Sequence, residues 1–294
     1  MNSTSIASDP SAAVNDPLDL FLNRIKNLPP TPILMVKLLE LFRQSDCDVD
    51  EVVRLMRSDP ALAAEVLRRC NNTVFSHEEP LTDIHEAVFR LGFYEIYRLT
   101  VALFGMEAFS VRGDMWGFPV ESLRRHSGIT AIASGAIAHE LGESEGVAFT
   151  AGLLHDVGKV ALAAAAGPKY AELLLVCGHL GEELSRAEKL TFGFDHGEVG
   201  ARLLLRWGVP EVISVPALFH HDPPQSGPLR RPVAIVHLAD LMAHHIQFND
   251  ENKMAESPEI LAALGLLDLN PGQLTALEEQ VCGDLKSLPA LVGS

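Results

Sequence analysis

The chain has 294 residues, 47% hydrophobic and 21% charged, which is enough apolar material for a sizeable core and too much for a disordered chain. Its 23 Lys and Arg against 39 Asp and Glu give a net charge of −16, which argues against a general nucleic-acid binder and against adhesion to anionic lipid, since both need a basic face. There is no basic, apolar leader and no uninterrupted apolar run of the roughly 18 residues that a membrane span needs. Cys47, Cys70, Cys177 and Cys282 stand far apart with no CxxC, so the expectation is a globular protein of a reducing cytoplasm, without membrane or disulfide framework.

In chain order, residues 1–16 are small and polar and read as a loose tail. Leu18, Phe21, Leu22 and Ile25 then repeat as one face of an amphipathic helix, which LPPTP (28–32) breaks. A helix on Ile33–Phe42 follows, then one capped by Asp48 or Asp50, then one opening at Ser58-Asp59-Pro60. DIHEAVFRLG (83–92) ends on Gly92, and 93–109 is a long apolar helix. VRGDMWGFP (111–119) is rich in breakers and marks a boundary between a lobe over 17–112 and a lobe over 113–290. Helices are predicted at about 120–141, 145–164, 168–191 with a break near Gly178, 195–207, 209–221, 230–247, 257–265 and 271–286. Little shows a period of two, so the fold class is all-α.

Two look-alikes are set aside. Asp46, Asp48 and Asp50 imitate an EF-hand, but Glu51 stands where Gly is needed and Arg57 where Glu is needed. Gly193, Gly197 and Gly200 follow no strand and so are no dinucleotide fingerprint; close helix contacts suit them better.

The chemistry lies in the twelve histidines. His77, His85, His139, His179, His244 and His245 read as loop or surface residues, while His237, one turn before Asp240, could simply hydrogen-bond nearby and stays unassigned. His126, His155-Asp156 in AGLLHDVGK, His196, His220-His221 and Asp240 in HLADLMA form the informative set. A divalent metal takes imidazole and carboxylate ligands from several elements, because one helix face cannot surround an ion. An adjacent His-Asp pair on one helix points about a third of a turn apart and can serve both sides of an ion, or bridge two. Asp156 and Asp240 on apolar helices are costly unless paired or metal-bound. The same residues can also satisfy one another as a metal-free polar network, and the residue types alone leave both open.

The run LPPTP, SDPALAAEVLRRCNN, IHEAVFRLGFYEIYRL, GLLHDVGK, FDHGEVGARLLLRWGVPEVI, HHDPP and HLADLMA resembles the HDOD (HD-related output) domain of the HD metal-dependent phosphohydrolase superfamily, over about residues 18–247. The resemblance implies an all-helical bacterial signal-transduction module, with an N-terminal helical lobe followed by an HD-like lobe. It implies regulation through a signalling protein partner or a nucleotide-like ligand, with metal-dependent phosphohydrolysis as the alternative. His126, His155, Asp156 and Asp240 match the superfamily's metal ligands in order. His196, His220 and His221 fall where the HD-GYP branch holds a second metal, and Lys159 matches that branch's phosphate-meeting lysine. The HHExxDGxGYP hallmark of that branch is absent, since DPPQSGP follows His220-His221. The implied cofactor is a divalent metal, with Fe, Mn, Zn, Mg and Ni all open, and Asp156 and Lys159 are the implied catalytic groups. The four core ligands are expected to converge, with His196, His220 and His221 on the rim.

Overall fold

The structure is a computed structural model that describes residues 16–24, 48–58, 82–108, 118–177, 181–248 and 254–287, together with positions 37, 38, 40, 41, 63, 64, 66–68 and 71. The breaker at 28–32, the helix start at Ser58-Asp59-Pro60, most of the boundary stretch, His77, His179, Cys47 and Cys70 lie wholly or partly outside these residues.

Among the described residues every regular element is helical. Helix α1 (Pro17–Arg24) buries Leu18 and Leu22, each worth about 1.5–3 kcal/mol. Helix α2 (Val49–Arg57) is capped by Asp48, whose carboxylate accepts from Asp50 N–H, so the EF-hand look-alike is a helix start. Helix α3 (Ile84–Leu91) is capped by Asp83 and ends at Gly92, where φ is 85°. Helix α4 (Phe93–Ala108) follows directly.

The centre of the molecule is α5 (Val120–Glu140). From His126 to Ala138 every residue is buried, so this helix is surrounded rather than laid on a surface. Small residues let its neighbours come close. A Cβ on Gly152 would sit 2.5 Å from Ser134 Oγ and 2.7 Å from the Thr130 carbonyl, so α6 (Glu145–Leu154) crosses α5 almost backbone to backbone. Helix α12 (Arg230–Phe248) packs along α5 from another side.

The sequence reading placed one helix over 145–164. The chain instead turns at His155 and Asp156 and resumes as α7 (Val157–Ala166). The apolar stretch Glu145–Ala166 is long and apolar enough to cross a membrane, but 89% of its apolar window is buried within the protein, as in a core helix.

Helices α8 (Pro168–Cys177) and α9 (Gly181–Phe192) form a hairpin, and α10 (His196–Arg206) and α11 (Glu211–Phe219) a second pair. A 3-10 segment, Pro223–Leu229, leads into α12, and α13 (Pro258–Leu267) and α14 (Pro271–Ser287) close the chain. The core runs without a break from Leu18 to Val281. Helix α1 docks on α7 and α10: Phe21 meets Phe194 at 4.9 Å, and Asp19 pairs with Arg202 (2.6 Å) and Arg206 (2.8 Å).

Candidate metal centre

Each predicted site residue sits at or near a helix end, or on the buried face of α5 or α12. His155 caps the C-terminus of α6 and Asp156 the N-terminus of α7. His196 opens α10 behind a capping box of Asp195 and Glu198. His220 caps the C-terminus of α11, with His221 next. Gly158 sets the spacing between these ends: a Cβ there would lie 1.9 Å from the His196 carbonyl, so α7 and α10 touch through backbone. Gly197 does the same for α10 against the last carbonyls of α11.

All seven predicted ligands converge. His126 Nε2 donates to Asp240 Oδ1 at 2.8 Å, across 114 residues of chain. Asp156 Oδ2 lies 3.4 Å from His155 Nε2 and 3.9 Å from His126 Nε2, and His155 Nε2 is 3.5 Å from Asp240 Oδ1. Asp156 Oδ1 faces the other way, 3.4 Å from His196 Nε2 and 3.7 Å from His220 Nε2. The Nε2 atoms of His196 and His221 are 3.0 Å apart. Asp156 thus stands between two ligand sets, one of His126, His155 and Asp240 and one of His196, His220 and His221.

The structure departs from the sequence expectation at three points. His196 and His220 are not on a rim: they are 0% and 1% exposed, and of the three only His221 reaches solvent. The His-Asp pair is not on one helix either. The two residues form the turn between α6 and α7, and both side chains are fully buried there. His244, a surface residue on the sequence pattern, has its Nε2 3.6 Å from Asp240 Oδ1 and its ring 4.5 Å from that of His126. His237, which the sequence leaves open, donates from Nδ1 to the His220 carbonyl at 2.6 Å, across 17 residues of chain.

The imidazoles are oriented by their outer nitrogens. His155 Nδ1 donates to the Gly152 carbonyl (2.7 Å) and His220 Nδ1 to that of Ala217 (2.9 Å), so both present Nε2 inward. His196 Nδ1 donates to Glu188 Oε2 at 2.6 Å. Glu188 is fully buried and was missed in the sequence; it also accepts from the His196 N–H (2.8 Å) and from Tyr170 OH (2.6 Å). It lies eight residues before His196 on another helix, and no spacing rule marks it.

Charge is concentrated here. Burial works against a charged His155, but the Asp156 carboxylate outweighs it and raises the pKa to about 10. Burial pushes Asp156 up, and the opposing His155 and Lys159 charges hold it well below the carboxylate range. Burial, reinforced by the His155 charge, lowers His220 to about 3, and burial lowers His244 to about 4. Lys159 Nζ donates to Asp156 Oδ2 at 2.6 Å.

These residues fit a divalent cation. His155 Nε2, Asp156 Oδ1 and His220 Nε2 are buried polar atoms without a hydrogen-bond partner, and all three face the shared interior. Orphaned groups of this kind are costly, and cations on the two sides of Asp156 would satisfy them. A small cleft reaches the set from outside, lined by His126, Asp156, Lys159, His244, Gln247 and Phe248 among others.

Residues 28–223 match the family model for the HDOD domain. The chain belongs to the HDOD family. The matched segment holds every candidate ligand but Asp240, which lies beyond it on α12. Among solved HDOD-like structures, a Marinobacter aquaeolei VT8 protein whose name proposes a signal-transduction role superposes with a TM-score of 0.76 at 21% identity, over 98% of this chain and 67% of that one. A Shewanella amazonensis SB2B protein whose name proposes a phosphohydrolase superposes at 0.71 and 22%, over 92% and 95%. An HDOD domain protein of unknown function from Geobacter sulfurreducens gives 0.70 and 25%, over 94% of each. These likenesses show the all-helical HDOD fold. An uncharacterized Treponema pallidum (strain Nichols) protein is 24% identical over 210 residues; the match covers 69% of this chain and only 39% of that protein's length.

Proposed function

We propose that this HDOD protein is a bacterial signal-transduction module that holds divalent cations at the His/Asp centre and takes a phosphate-bearing, nucleotide-like ligand in the cleft above it. The loaded state would be read by a partner protein. The observation that carries this reading is the position of Asp156 between two imidazole sets, with buried orphaned atoms on both sides. His126, His155, Asp156 and Asp240 would hold one cation, and His196, His220, His221 and the far oxygen of Asp156 a second. Lys159, which now neutralises Asp156, would be displaced by a cation and turn its ammonium toward a phosphate in the cleft.

The second reading is phosphohydrolysis, favoured by the completeness of the ligand set and by names borne by proteins of the same fold. Bound cations would polarise a phosphoryl oxygen and lower the pKa of a bound water to about 7. In that case Asp156 would orient the reacting centre and Lys159 would stabilise charge on the phosphate. The proline-rich 3-10 segment that follows His221 differs from the hydrolytic HD-GYP pattern, which is why binding is placed first.

The test is metal analysis of protein purified without added metal, followed by a nucleotide and cyclic-dinucleotide screen for binding and for turnover. Metal-dependent binding without turnover supports the first reading, and turnover lost in Asp156→Ala supports the second. Wild type that takes up no cation defeats both.

A further inference from the structure

Asp240, His244 and Phe248 lie one turn apart on α12, so they form a row from the buried centre to the mouth of the cleft. Asp240 is buried, the His244 side chain is 26% exposed, and Phe248 is open to solvent and stacked on His244 at 5.9 Å. His244 Nε2 stands 3.6 Å from Asp240 Oδ1, too far for a hydrogen bond. Ligand atoms of His126, Asp240 and His244 all lie within 4.8 Å of one another. Bonds of about 2.0–2.2 Å to a single ion fit that spacing after small side-chain adjustments.

We propose that His244 is a ligand, from the cleft side, of the divalent cation held by His126 and Asp240. The inference rests on the proposed metal centre and adds a residue that the superfamily pattern does not contain. It also says what an incoming phosphate meets. A ligand descending the cleft approaches the cation on the side His244 fills, so its oxygen must displace the imidazole to reach the ion. Catalytic metal sites keep a position open for water or substrate, whereas structural sites are closed by protein groups. A position closed by His244 leaves no place for an activated water, which disfavours turnover, and opening it by mutation should move the protein toward hydrolysis.

The experiment uses chelator-stripped full-length protein titrated with Co2+, whose visible absorption reports the number and type of its ligands. Both His244→Ala and His244→Asn are expected to bind one Co2+ about tenfold more weakly or worse, with altered visible bands as water replaces imidazole. Inorganic phosphate should perturb the variant spectra at lower concentration than the wild-type spectrum. Phe248→Ala, which opens the mouth and leaves the nitrogen in place, should keep the wild-type bands. Wild-type affinity and bands in both His244 variants overturn the inference while the metal centre stands. Absence of Co2+ uptake by the wild type overturns the metal centre itself, and this inference with it.

Discussion

Glu188 gives the clearest prediction at the scale of single residues. Its carboxylate takes the His196 N–H and Nδ1–H on one oxygen and Tyr170 OH on the other, so it fixes which imidazole nitrogen points at Asp156. Glu188→Gln keeps the volume but removes the charge that makes His196 a better ligand. Calorimetric titration with Mn2+ should show the affinity of the His196 set reduced about 10–100-fold, with the His126 set unchanged. An equal loss at both sets would mean that Glu188 only supports packing. The ligands themselves were legible because His and Asp on apolar segments are costly and therefore conspicuous. Glu188 and His244 were not: a single Glu among polar neighbours on α9 and a His beside His245 carry no such signal, and only the fold brings them inward.

At the scale of elements, the centre depends on the backbone approach of α7 to α10. Gly158 lets α7 touch α10 where a Cβ would collide with the His196 carbonyl at 1.9 Å; Gly200, facing Gly158 N at 3.1 Å, is less tight. Gly158→Ala should therefore cost about 1–3 kcal/mol or more in urea unfolding, with Gly200→Ala costing less. Because the collision pushes His196 away from Asp156, Gly158→Ala should also lose the second cation. Comparable stabilities for the two variants would contradict this account. The helix boundaries from α5 onward were legible from caps and breakers to within a few residues. The turn at His155-Asp156 was not, since LLHDVGKV has no Pro and keeps an apolar pattern; tertiary packing, with α7 drawn onto α10, decides it.

At the scale of the whole molecule, the buried charges set a stability optimum for metal-free protein. His155, raised from the usual 6.5 to about 10, contributes stability that is full below about 6.5 and is lost as pH rises toward 10. His220 and His244, lowered to about 3 and about 4, act in the opposite sense: the unfolded chain takes up their protons first, so stability falls as pH drops from about 6.5 through those values. Asp156 and Asp240, held low, contribute above the ordinary carboxylate range and lose that contribution in acid. Melting temperature against pH in the presence of chelator should peak near pH 6.5, with the acid limb steeper; a steady rise to pH 9 would refute the assignment. The all-helical class was legible in the absence of alternating strands, and the union of His126 with Asp240, 114 residues apart, was legible in the cost of leaving buried carboxylates unpaired; the depth of His196 and His220 was not, because it exists only in three dimensions. That long span has a kinetic consequence. The contact between His126 and Asp240 closes only once α5 and α12 have paired, so the ligand set is completed late in folding. A cation should therefore leave the refolding rate unchanged and slow unfolding, acting as a clasp on a finished structure rather than a seed for it; stopped-flow chevrons with and without Mn2+ would show the difference in the unfolding arm alone.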